Sequence, residues 1–110
     1  MDYVISYYSL DVETEILSLP ETLTACYIGY TKRMMVVGPN LGEPRTKALG
    51  GGLFEMRLFG MEGIARVFFC TLVGKRIVML HSFVKKTEKI PLRELVIART
   101  RLKEVKREYP

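Results

Sequence analysis

Apolar positions recur along this chain with two different periods, and the switches between them mark where helices give way to strands. The run Tyr3–Ser9 (YVISYYS) is dense in β-branched and aromatic residues and reads as a first strand. Asp11 is then placed to cap a short helix running toward Ser18, with Val12, Ile16 and Leu19 turned inward. Ser18-Leu19-Pro20-Glu21 has the S-x-x-E spacing of a capping box, and Pro20 suits a first turn that needs no amide hydrogen. Leu23, Tyr27, Tyr30, Met34 and Val37 follow at helical spacing until Gly38-Pro39 stops the pattern. The two helices should form a hairpin whose Met and Tyr side chains belong to the core.

The stretch Gly38–Gly52 (GPNLGEPRTKALGGG) is turn-rich and reads as an irregular loop. Its glycine triplet lacks the G-x-x-x-x-G-K-[ST] spacing of a phosphate loop and no helix opens after it, so it reads as a hinge into the next strand. Period-two segments then follow in quick succession over Leu53–Phe59, Ile64–Val73 and Arg76–Phe83, with turns at Gly60–Gly63 and Gly74-Lys75, which predicts an antiparallel meander. A last helix is expected from about Pro91 to Tyr109, with Leu95, Ala98, Leu102, Val105 and Tyr109 as its apolar seam. The fold class implied is α+β, in one domain spanning residues 1–110.

Strand periodicity also says which side chains share a face. A two-residue Gly74-Lys75 turn pairs Val73 with Arg76, Phe68 with His81 and Arg66 with Phe83, and Lys85 lies two residues beyond on that same side. Four loop residues at Gly60–Gly63 pair Phe59 with Ile64 and set Arg57 directly opposite Arg66. Like charges so placed repel by roughly 0.2–1 kcal/mol. Relief must come from a bound anion or from an acidic neighbour, and Glu55, two residues before Arg57, is on the right face to form a structural salt bridge.

Composition narrows the reading. The chain has 110 residues, 48% hydrophobic and 26% charged, which is globular rather than disordered. The start Met1-Asp2-Tyr3 lacks the features of a secretory signal, and no apolar run approaches the roughly 20 residues of a membrane span, so a cytoplasmic protein without a membrane partner is expected. Cys26 and Cys70 have no metal-type spacing and read as reduced core residues. The net charge of +5 is uneven: residues 75–110 hold eleven Lys and Arg against four Glu, net +7, whereas residues 1–74 are net −2. A field of that kind serves a polyanion or an acidic protein partner, or is simply a solvated helix face.

Arg57, Arg66, His81, Lys85 and Lys86 together suit the chemistry of ribonucleases that work without metal, in which the 2′-hydroxyl attacks the adjacent phosphate. That reaction needs a base, an acid for the leaving 5′-oxygen, and cations around a phosphorane-like transition state. Arginine forks match phosphate oxygens, and a lysine or histidine among other cations can move protons near neutral pH. One histidine and scattered carboxylates fit metal catalysis poorly, and neither cysteine has an evident triad partner, so no cofactor and no metal is expected.

The segment from Lys47 to Arg101 resembles the RelE/HigB toxin superfamily, and most closely its phage-derived HigB-type branch. The carriers are Lys47, Leu49, Leu53, Glu55 and Arg57; Arg66 to Phe69; His81, Phe83, Lys85, Lys86 and Thr87; and Pro91, Glu94, Ala98 and Arg101. The resemblance covers roughly the last 60 residues, while the N-terminal half agrees only in layout. It implies a small RelE-like fold: an N-terminal strand and helical hairpin packed on an antiparallel sheet, with helices over one sheet face and a C-terminal helix. It also implies a type II toxin that cleaves mRNA, often on the ribosome, and is neutralised by a cognate helix-turn-helix antitoxin. The site residues it implies are Arg57, Arg66, Lys85, His81 and Glu55 in catalysis, with Glu55, His81 or a lysine as base. Lys47, Lys86 and Lys89 would contact RNA or phosphate, and Thr87 and Pro91 would start the last helix; Tyr109 matches a tyrosine that some members place in the site, whereas its position on the apolar seam points to core packing. A non-catalytic nucleic-acid-binding module and a phage-derived structural or assembly protein are the competing expectations.

Overall fold

A short strand, β1 (Val4–Tyr7), leads into two helices, α1 (Leu10–Leu17) and α2 (Glu21–Val37); four strands follow, β2 (Thr46–Gly50), β3 (Leu53–Gly60), β4 (Gly63–Leu72) and β5 (Arg76–Lys85), and then α3 (Leu92–Glu108). This computed structural model describes residues 2–86 and 89–109, so Thr87, expected at the start of the last helix, lies outside the described residues. The sheet order is β1-β5-β4-β3-β2. The α+β class and the β3–β4–β5 meander are as expected, but β1 joins β5 in parallel, so the sheet is mixed.

The α1–α2 hairpin covers one sheet face, where Val12, Ile16, Leu23, Tyr27 and Met34 meet Met56, Leu58, Val67, Phe69 and Met79. Each large side chain removed from water there contributes about 1.5–3 kcal/mol. The inward stripe of α2 is Leu23, Tyr27, Thr31 and Met34, whereas Val37 at its last turn is 55% exposed. Helix α3 packs on the opposite face, Ala98, Leu102 and Val105 against Leu53, Phe68, Cys70, Val78 and Leu80. Helices on both faces correct the one-sided expectation: the near-continuous burial along β4 and β5 needs apolar cover on each side. Tyr109 is half exposed rather than core, with Arg76 lying 4.9 Å from its ring centroid.

Both expected caps are corrected. Ser9, not Asp11, caps α1 by accepting from the Val12 amide at 3.2 Å. No capping box forms on α2, because Ser18 closes α1 instead and Glu62, from the β3–β4 turn, accepts from the Thr22 amide at 3.2 Å and from the Thr22 hydroxyl. The loop expected over residues 38–52 contains β2, anchored where the buried Thr46 hydroxyl accepts from the Leu41 and Gly42 amides. The glycine triplet is the β2–β3 hairpin turn, with φ of 89°, 64° and 88° at Gly50, Gly51 and Gly52, a backbone that side chains disfavour.

The β4–β5 register is right at one end and wrong at the other. Leu72, not Val73, pairs with Arg76, so the turn has three residues, yet Phe68 still faces His81 and Arg66 still faces Phe83. A bulge absorbs the difference: Phe69 pairs with Met79 and Phe68 with His81, leaving Leu80 extra. Leu80 and His81 therefore both turn toward α3.

Candidate functional site

The face that carries α3 is apolar only at one end. Beyond the helix, alternation on β3 brings up Glu55 and Arg57, on β4 Arg66, and on β5 Phe83 and Lys85. Arg57 and Arg66 are direct cross-strand partners, as the turn length predicts. Their repulsion is relieved by one atom: Glu55 Oε1 accepts from Arg57 Nε at 2.7 Å and from Arg66 Nη1 at 2.9 Å. Glu55 is 1% exposed, and a carboxylate taken that far from water is held in place by charge-assisted hydrogen bonds. The structural salt bridge considered from the sequence is therefore present. The two guanidinium groups thus share one carboxylate oxygen.

The two arginines differ in access. Arg66 is buried, while the Arg57 side chain is 24% exposed and its outer Nη1 is 3.8 Å from Glu43, a solvent-facing carboxylate that binds it weakly. Cations flank the pair on both sides. Lys47, on edge strand β2, is opposite Glu55 and exposed; Lys85, on β5, is opposite Ile64 and half-buried. Four adjacent strands thus present a row of positive groups across one end of the sheet, and such a row can hold an anion with its charge spread over several oxygens.

His81 is not in that row. It is buried, its ring near-parallel to those of Phe68 and Phe83 in a three-ring cluster, and reached by α3: its Nε2 is 2.8 Å from Glu94 Oε1, and Arg101 Nη1 is 3.5 Å from its Nδ1. A guanidinium nitrogen can only donate, so Nδ1 is the acceptor and Nε2 carries the proton given to Glu94. The same Arg101 nitrogen donates to the Leu80 carbonyl at 2.8 Å, fixing the bulge. Lys86 is exposed past the end of β5 and lines a cavity of about 570 Å³ with Phe83, Val84, Pro91, Arg93 and Glu94. Lys89 is exposed further on, and both lysines lie beyond the last residue of β5.

Sequence reasoning missed Glu43 and the uses of Glu94 and Arg101, which entered only as carriers of the resemblance. The signal for Glu94 was its acidic charge in the first turn of a helix whose seam is otherwise apolar, a buried charge that demands a partner. Among the described residues no three His, Cys, Asp or Glu side chains gather to hold a metal ion, and no helix is long and apolar enough to cross a membrane.

Fold and site together define a small α+β protein with a row of cationic side chains on the sheet face away from its helical hairpin. The sequence model of the family described as "Phage derived protein Gp49-like (DUF891)" matches residues 14–103, more than half of the chain. The protein belongs to this family, a toxin-like family of the RelE/HigB type, which implies an antitoxin partner. No curated protein matches the chain.

Proposed function

We propose that this protein is the toxin of a type II toxin–antitoxin pair, of the HigB-type branch, and that it cleaves mRNA on the ribosome by internal attack of a 2′-hydroxyl. The observation that carries the reading is the direct pairing of Arg57 and Arg66, bridged by buried Glu55 and flanked by Lys47 and Lys85. In this reading Arg57 takes the scissile phosphate with its exposed nitrogens. Arg66 adds charge from below, where low dielectric makes it count for more.

Glu55 and His81 act as positioning residues: Glu55 Oε1 is shared by the two arginines, and the His81 Nε2 proton is given to Glu94. Lys47 and Lys85 are then the groups left to move protons. They stand on either side of the arginine pair, and an in-line displacement needs its base and its acid on opposite sides of the phosphorus. Lys86 and Lys89 contact phosphates further along the strand.

Expression of the chain alone in bacteria is expected to stop growth and translation. Arg57→Ala with Lys85→Ala is expected to restore growth while the purified variant keeps its melting temperature within a few degrees, since neither side chain is buried. A double variant as toxic as the parent removes these residues from the site. Ribosome binding without new mRNA ends would instead support the non-catalytic binding module.

A further inference from the structure

The cavity beside the cationic row has a composition that phosphate binding does not need. It is lined by Phe83, Val84, Pro91 and the buried Glu94 together with the exposed Lys86 and Arg93, and its volume of about 570 Å³ is in the range of pockets that receive small organic groups. Phe83 is the direct cross-strand neighbour of Arg66, about 4.8 Å away in strand spacing. A phosphate on the arginines and a flat ring on Phe83 therefore fit within one or two nucleotides of the same RNA strand.

Phe83 is already stacked from within, on Phe68 at 5.8 Å and His81 at 6.4 Å between centroids, so it is a rigid platform with one partly open side. Stacking on such a ring is sequence-tolerant, and selectivity has to come from a polar group at the rim. Glu94 supplies one. Its Oε1 is held by the His81 N–H at 2.8 Å; among the described residues its Oε2 has only the loose approach of Arg93, at 3.9 Å from a side chain 86% exposed. The carboxylate is oriented from behind and keeps one acceptor to offer. A carboxylate can only accept, so it favours a base edge that leads with an amino group. Adenine, cytosine and guanine each carry such a group, whereas uracil presents a single N–H between two carbonyl oxygens that a carboxylate repels.

We propose that this cavity receives the nucleobase next to the scissile linkage, stacked on Phe83, and that Glu94 selects amino-bearing bases against uracil. His81 is the positioning residue that aims Glu94. The inference rests on the RNA-cleavage reading above and adds its specificity.

The test is to map new mRNA 5′ ends in cells expressing the wild type, Glu94→Gln or Phe83→Leu. Wild-type ends are expected to show uracil depleted roughly tenfold at one fixed position within two nucleotides of the cut, the discrimination one good polar contact confers. Glu94→Gln keeps an oxygen for the His81 N–H and adds a donor for a uracil carbonyl; it is expected to return uracil to its background frequency while cutting continues. Phe83→Leu should lower the total number of cuts without changing the ranking of bases. Cuts with no base preference, or a uracil depletion that persists in Glu94→Gln, overturn the pocket but leave the nuclease intact. Absence of any cut by the wild type overturns both. Thermal melts of both purified variants show whether a loss of cutting comes from unfolding.

Discussion

Glu55 holds a position that few carboxylates occupy: one oxygen shared by two guanidinium groups, inside a sheet, at 1% exposure. Removing one member of a buried ionic cluster costs more than the cluster contributes as a whole, because what remains is an uncompensated charge in low dielectric. Glu55→Ala leaves two arginines face to face and is expected to cost about 3 kcal/mol in urea unfolding. Arg57→Ala, which still leaves Glu55 paired with Arg66, should cost about 1 kcal/mol or less. Equal losses for the two would mean that Arg57 is as buried energetically as Arg66. The two thiols separate as cleanly. Burial pushes the Cys70 thiol up, against a weaker lowering by Lys106, whereas Cys26 is partly accessible. Reaction with iodoacetamide at pH 8 should label Cys26 alone, with Cys70 modified only after denaturant is added.

Between elements, the β3–β4 turn and the start of α2 are locked together. Glu62 takes over the cap that the local sequence leaves empty, and the Thr22 hydroxyl and amide hold its carboxyl below the usual range, the hydroxyl contributing most. A carboxyl lowered by folding stabilises fully above its unfolded pKa, about 4.3, and loses that contribution as pH falls through the lowered folded value. Glu62→Gln should therefore melt lower than the parent at neutral pH, with the gap narrowing below about pH 4. Gly60 sits under the same contact: a Cβ there would lie 2.5 Å from Thr22 Oγ1 and 3.0 Å from the Leu23 amide nitrogen. Gly60→Ala is expected to cost about 1–3 kcal/mol.

None of this was visible from spacing, since a cap supplied from 40 residues away carries no local signature. Strand β2 escaped for a related reason: Thr46-Lys47-Ala48-Leu49-Gly50 has little β-branched content and no regular alternation, and its anchor is a hydroxyl taking loop amides. What local pattern does carry is the meander. The glycines of the β3–β4 turn were enough to oppose Arg57 and Arg66, and that pairing held. His81 shows the boundary: its pairing with Phe68 was legible, but its burial depends on a bulge and on α3 docking above it.

Across the molecule, the charge asymmetry read from composition divides by function once α3 is in place. Arg99 donates to the Leu49 and Gly50 carbonyls, Arg101 to the Leu80 carbonyl and Lys106 to the Thr71 carbonyl; these three tie α3 to the sheet. Lys103 and Arg107, one turn apart and exposed, take no part in those ties. Their charge is available to a polyanion, and each phosphate contact such a cation makes adds roughly 0.7–0.9 to the slope of log K against log salt. On the proposed reading, Lys103→Gln with Arg107→Gln should flatten the salt dependence of ribosome binding by about 1.5, with melting temperature unchanged. Arg101→Gln should do the reverse, lowering the melting temperature while the slope stays near the parent's, because that charge is spent on the Leu80 carbonyl and on the Tyr8 ring 4.8 Å away. If the double variant binds with the parent's slope, the outer face of α3 is solvated surface and the nucleic acid is held by the cationic row alone.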